Sequence, residues 1–273
     1  MFERQQATRT MRRALLKASL LSAAALWSGT AVYATSDSKA QQWLAATDDV
    51  RNPSGAFSVR VVLSEYRQSK LAATSQMVVF AKPSENTGQF NNLIRLETPS
   101  RDEGKLILRN GLDIWFFDPA SHASVRISPQ QRLLGQASNN DVMSTNLAKD
   151  FEATLQGVET ITGGDSKPVR CVHLQLQAQR ADVAYPFADY WIEESTQRPV
   201  KAQFYTAERR LLKTAYFRRY QSELGKDRPT ETVIIDGLDP SWVTVMRLSE
   251  YKTRDVPSSW LQREYLPRFT EQP

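Results

Sequence analysis

Short apolar runs alternate with polar positions along most of the chain, and that rhythm sets the first expectation. In Ala56–Tyr66, Phe57, Val59, Val61 and Leu63 share one side and Ser58, Arg60 and Ser64 the other, the period of two of a half-buried strand. Leu71–Lys82 repeats it with Ala73, Met77 and Val79, and Gln89–Thr98 carries Leu93, Ile94 and Leu96. Gly104–Arg109 and Leu112–Asp118 flank Asn110-Gly111, a strong hairpin signal because both turn positions favour positive φ. Ser124–Ser128 returns with Val125 and Ile127, and past residue 150 the rhythm continues to Val243–Tyr251. Ser36–Val50 is the exception. Ala40, Trp43, Leu44 and Thr47 lie at i, i+3, i+4 and i+7, predicting an amphipathic helix that Asn52-Pro53-Ser54-Gly55 stops. With no long helices between the strands, a parallel βαβ sheet is excluded. A meander closing into a barrel or half-barrel of about eleven strands is the economical answer, because it limits exposed edges.

One stretch departs from the monotony. Ile114-Trp115-Phe116-Phe117 puts two large apolar side chains on each face of a strand, so both faces must be shielded. Leu133-Leu134-Gly135 then reads as an apolar lid, followed by a short helix capped by Asn140 or Asp141 that carries Val142, Met143 and Leu147. A meander running into an apolar flap is an architecture for enclosing something oily.

Within residues 104–151 the order of Gly104, Leu106, Gly111, Trp115, Phe117, Pro119, Val125-Arg126-Ile127-Ser128, Arg132 and Asp141 resembles the LolA-like outer-membrane lipoprotein-sorting family. Many relatives carry a Gly-Ser-Asp-Phe run where this chain has Gln136-Ala137-Ser138-Asn139-Asn140-Asp141. The resemblance implies a mainly β (α+β), LolA/LolB-like fold, a curved antiparallel half-barrel with covering helices that binds acyl chains of lipids or lipoproteins. It implies a cavity and lid drawn from Val59, Val61, Met77, Val79, Ile94, Leu96, Trp115, Phe117, Leu133, Leu134, Val142, Met143 and Leu147. Arg126 and Arg132 would flank its mouth and pair with a lipid headgroup. The partners implied are the cargo, an inner-membrane transporter of the RND/MMPL type, and transiently the membrane surface.

The N-terminus bears on location. Arg9, Arg12, Arg13 and Lys17 precede the apolar Ala18–Ala31, and Val32-Tyr33-Ala34 supplies small residues for cleavage. Residues 1–34 therefore read as a signal peptide cut near Ala34, by the general or the twin-arginine route, and 35–273 as one periplasmic domain. The whole chain has 35 basic and 30 acidic residues, but five of the basic ones and one acidic one lie in that leader. The remainder is nearly neutral, which with export argues against nucleic acid as a partner.

No chemistry announces itself. The two histidines, His122 and His173, have no Cys or acidic companions at metal-ligand spacing, and no nucleophile elbow or P-loop occurs. The single Cys171 sits mid-strand and reads as a small buried hydrophobe; Ser138 reads as a loop or cap residue. The expectation is a carrier with no catalytic residues, cofactor or metal. Two other classes stay open: a lipid-sensing module acting on a membrane partner protein, and a hydrolase of envelope lipids or glycans.

Overall fold

The computed structural model describes residues 38–271, and the leader expected over 1–34 lies outside them. The helix read from 36–50 is α1, Ser38–Arg51. Ala40, Leu44, Thr47 and Asp48 are its buried residues, with Trp43 packed beside them. After the Asn52–Gly55 stop come β1 (Phe57–Arg67), β2 (Lys70–Pro83), β3 (Phe90–Thr98), β4 (Leu106–Asn110), β5 (Asp113–Asp118) and β6 (Ala123–Arg126). A small hairpin, β7 (Arg132–Leu134) and β8 (Ala137–Ser138), leads into two one-turn helices, α2 (Asn139–Val142) and α3 (Leu147–Asp150). A second meander follows: β9 (Phe151–Thr162), β10 (Pro168–Ala178), β11 (Phe187–Glu193), β12 (Pro199–Tyr205), β13 (Leu211–Glu223), β14 (Lys226–Asp236) and β15 (Trp242–Thr253). Two 3₁₀ turns, Ser258–Leu261 and Arg263–Arg268, end the described chain.

Thirteen strands form one sheet in the order β6-β5-β4-β3-β2-β1-β15-β14-β13-β12-β11-β10-β9. Every pair is antiparallel, and the two meanders join where the first strand meets the last, with Val61 opposite Leu248. The sheet is curved and does not close, so β6 and β9 are its edges. Bulges add curvature. In β9, for example, Gln156 is the extra residue between the Gly157–His173 and Leu155–Leu174 pairs, and Gly157 takes φ +139°.

Three local details differ from the sequence reading. The β4–β5 hairpin closes at Asn110–Asp113, so its two-residue loop is Gly111-Leu112 rather than Asn110-Gly111. Only Gly111 has positive φ, the requirement of a turn with glycine at its first central position. The Leu133-Leu134 flap is a strand of its own hairpin, closed by Gly135 at φ +54°. The single lid helix is two separate turns, and the first is capped by Ser138, not by Asn140 or Asp141. Asp141 instead reaches back from inside the turn, accepting the Ser138 N–H at 2.7 Å and its Oγ–H at 2.9 Å.

The sheet is apolar on both faces. The inner face, under α1–α3, holds the main core, including Val59, Val61, Met77, Val79, Ile94 and Ile114 from the first meander and Leu174, Tyr190, Ala215, Ile234 and Met246 from the second. The outer face has a smaller core in which Phe80, Leu93, Leu108 and Phe117 meet Val256, Trp260, Leu261 and Leu266 of the C-terminal turns. Phe80 and Trp260 contact edge to face with ring centroids 5.4 Å apart. A third cluster joins Cys171, Trp191 and Val200.

Candidate functional site

The lid, residues 132–150, is held over the inner face by polar clamps at the two ends of its 141–146 segment and by an apolar plug beside them. At one end three side-chain amides imitate a strand edge. Asn92 accepts the Ser144 N–H at 2.9 Å and donates to Ser144 O at 3.0 Å. Gln89 accepts from Asn146 N at 2.8 Å and donates to Asn146 O at 3.1 Å, while Asn52 donates to Thr145 O at 2.9 Å. At the other end Lys213, nearly sealed from solvent on β13, donates to Asp141 and to the Tyr185 hydroxyl. Burial pushes the Lys213 ammonium below its ordinary range, and the Asp141 charge opposes that shift. Tyr185 is held well above its usual value by burial and by the same carboxylate. Between and beside the clamps Val142, Met143 and Leu147 enter the main core, and Leu133 and Leu134 pack on its margin.

Two adjoining cavities of about 50 and 70 Å³ remain between plug and sheet. The first is walled by Leu147, Phe151, Phe204, Phe217, Ile234 and Met246, the second by Phe57, Val59, Val142, Met143, Leu248 and Tyr251. Arg51, Asp141, Phe217, Thr232 and Met246 border both. The polar floor comes from α1: Arg51 pairs with Asp48 at 3.1 Å, and Asp48 accepts the Ala148 N–H at 2.8 Å. Burial raises the Asp48 carboxyl to about 6 against the pull of Arg51.

The residues predicted for the cavity separate into three groups. Val59, Val142, Met143 and Leu147 line it. Val61, Met77, Val79, Ile94 and Leu96 share the same apolar cluster, and Leu133 and Leu134 edge it. Trp115 and Phe117 are not brought to it: they point to the outer face, into the cluster with Trp260 and Leu266, while Ile114 and Phe116 take the inner face. Alternation along β5 fixes that these pairs part company but carries no mark of which pair faces in. The two headgroup arginines also separate. Arg126 lies on the edge strand, exposed and paired with Asp113 at 2.5 Å, and lines none of these cavities. Arg132 sits on the lid hairpin, its guanidinium 4.7 Å from the Trp242 ring centroid.

Half of the cavity wall escaped the sequence reading. Phe151, Phe204, Phe217, Ile234 and Met246 come from the second meander, where their strand pattern is that of any core. His173, by contrast, has the plain packing role expected of it, stacked on Trp191 at 4.5 Å and bonded to Asp189 at 3.1 Å. Among the described residues no group of three or more His, Cys, Asp or Glu side chains could hold a metal ion. No helix among them is long and apolar enough to cross a membrane.

An open antiparallel half-barrel, helices over its inner face and an apolar cavity beneath them define a LolA-like architecture. Comparison with known proteins agrees. A LolA-superfamily protein from Nitrosomonas europaea is 30% identical, with a TM-score of 0.74 over 83% of this chain and 98% of its own. A DUF1329-family protein from Desulfovibrio piger is 20% identical (TM-score 0.70, covering 84% and 98%). A putative outer membrane lipoprotein-sorting protein domain from Vibrio parahaemolyticus is 17% identical (TM-score 0.70, covering 85% and 99%), and these two share the fold. The model of a family described as "Uncharacterized protein" matches residues 88–268, and no curated protein matches the chain. The chain belongs to the LolA superfamily.

Proposed function

We propose that this protein is a periplasmic carrier that takes acyl chains of lipids or lipoproteins into the space between lid and sheet and shuttles them to or from the outer membrane. An inner-membrane RND/MMPL-type transporter is the proposed partner, and contact with the membrane surface is transient. The observation that carries the reading is the apolar cavity whose cover is built separately from its walls. At about 50 and 70 Å³ the two adjoining spaces are far below the 300–1,000 Å³ typical of ligand pockets. Cargo therefore enters only as the plug of Val142, Met143 and Leu147 withdraws, and the chain replaces the plug against Phe151, Phe204 and Phe217. Each methylene removed from water contributes about 0.8 kcal/mol. A hydrocarbon chain thus offsets the loss of the plug with no specific polar contact, which suits a carrier that must also release. Lid and wall residues act by packing, and none is assigned a catalytic role.

The test is to purify the protein without detergent and identify bound lipid by mass spectrometry. Stoichiometric lipid is expected, and a Leu134→Trp variant should change emission as cargo is added. A lipid-free protein that also refuses fluorescent fatty-acid probes would sink the reading.

A further inference from the structure

A second, polar cavity of about 160 Å³ opens beside the apolar ones under the lid hairpin. We propose that it receives the anionic head, a phosphate or carboxylate, of an amphiphile whose hydrocarbon part occupies the apolar cavity; this rests on the carrier reading and specifies its cargo. Its wall is lined by Arg132, Gln136, Ser138, Tyr185 and Lys213. The Ser138 and Tyr185 hydroxyls and the Lys213 ammonium already donate within the Asp141 cluster, which leaves the Arg132 guanidinium and the Gln136 side-chain amide as the free donors. Gln136 is 4% exposed, yet its Nε2 has no hydrogen-bond partner. A buried donor left unpaired is destabilising unless something else satisfies it, and here it belongs to a residue that lines the cavity. Arg132 has no carboxylate within ion-pair distance among the described residues; it lies over the Trp242 ring instead.

Charge and position select the ligand class. Asp141 already neutralises Lys213, so the group keeps one net positive charge, that of Arg132. An oxyanion satisfies this charge and the amide together, through charge-assisted hydrogen bonds that a neutral head could not form. Tyr185 lines this cavity and the apolar one alike. One ring therefore separates the place for a head from the place for a chain, as a single amphiphile requires.

The experiment measures displacement of N-phenyl-1-naphthylamine, an uncharged probe of the apolar cavity, by decyl phosphate and by 1-decanol, which share a chain and differ in the head. In the native protein decyl phosphate should displace the probe at a concentration at least tenfold below that of decanol. Arg132→Gln, an exposed change that leaves the core intact, and Gln136→Leu should each reduce that preference to less than threefold. Equal potency of the two ligands in the native protein would overturn the head pocket while leaving the carrier reading in place. So would a preference that both variants retain. Failure of the protein to take up the probe would overturn the carrier reading and the proposal together. Inorganic phosphate alone separates a free-anion site from a lipid site: an Arg132-dependent rise in Tm with phosphate, without the tenfold preference for decyl phosphate, rejects the amphiphile.

Discussion

Gly135 holds the lid hairpin flat on the sheet, and replacing it with alanine tests whether that contact keeps the lid shut. The residue sits at φ +54°, and a Cβ built there would lie 2.2 Å from Thr244 Oγ1 and 3.2 Å from Glu65 Cγ. Thr244 is fully buried on β15, and its hydroxyl accepts the Gln136 N–H at 2.8 Å. Two costs add. An alanine in the left-handed region is destabilised by about 1–2 kcal/mol. Ordinary contact begins near 3.4 Å, so the hairpin must rise by about 1 Å. That rise stretches the Gln136–Thr244 bond beyond hydrogen-bonding range, at a further cost of about 1 kcal/mol. On the proposed carrier motion, in which α2, the plug and β7–β8 withdraw together as a cover, the sum of about 2–3 kcal/mol should fall on lid closure. At 2 kcal/mol the open population rises roughly 30-fold. Native-state hydrogen exchange of the Ser144 amide, whose bond to Asn92 the substitution does not itself touch, reads this directly, and it should accelerate by that factor while β10 and β11 amides stay unchanged. Gly135→Ala with Thr244→Ala should be less damaging than the sum of the single changes by about 1 kcal/mol, because the second removes the clashing atom. Unchanged exchange at Ser144, or acceleration spread evenly over the sheet, would refute a lid that closes independently.

Three other outcomes follow from buried groups. Arg228, 2% exposed, donates to the last carbonyls of α1, Asp49 O at 3.2 Å and Val50 O at 2.9 Å, so Arg228→Met should destabilise the protein by about 2 kcal/mol in urea unfolding. Asp48 has a folded-state value of about 6, above its unfolded one of 3.8. Its contribution is therefore fully present below about pH 4 and is lost as the pH rises towards 6. Relative to Asp48→Asn, the native protein should be more stable at pH 4 than at pH 7 by up to about 3 kcal/mol, as read from unfolding at both pH values. The Cys171 thiol is buried and, through that burial, pushed up to about 12, so the folded protein should not react with a disulfide reagent at pH 8 until urea unfolds it.

The course of the main sheet was legible because strand alternation is a local property. Val59 and Val61, or Ile94 and Leu96, declare a strand with no knowledge of the partner. What alternation lacks is phase. Trp115 and Phe117 satisfy it as well pointing outward as inward, and only the docking of Trp260 and Leu266 on the outer face, which shelters them, decides the matter. The β7–β8 hairpin was missed for another reason: strands of three and two residues are too short to show a period.

By its own pattern the sequence determined an antiparallel β fold with an N-terminal helix, an apolar flap before residue 140 and no clustered catalytic or metal-binding signature. The tertiary structure decided the rest. It brought Phe204, Phe217, Ile234 and Met246 under a lid far from them in the chain. It set Lys213 on Asp141, 72 residues away, and Asn92 on Ser144, 52 away. It also made one arginine, Arg132, a neighbour of a cavity and the other, Arg126, a surface ion pair. The physical reason is common to all of these. A residue's propensity acts over a few neighbours, whereas burial, charge pairing and cavity shape are set by which strands lie side by side, and in this sheet the first strand pairs with the last.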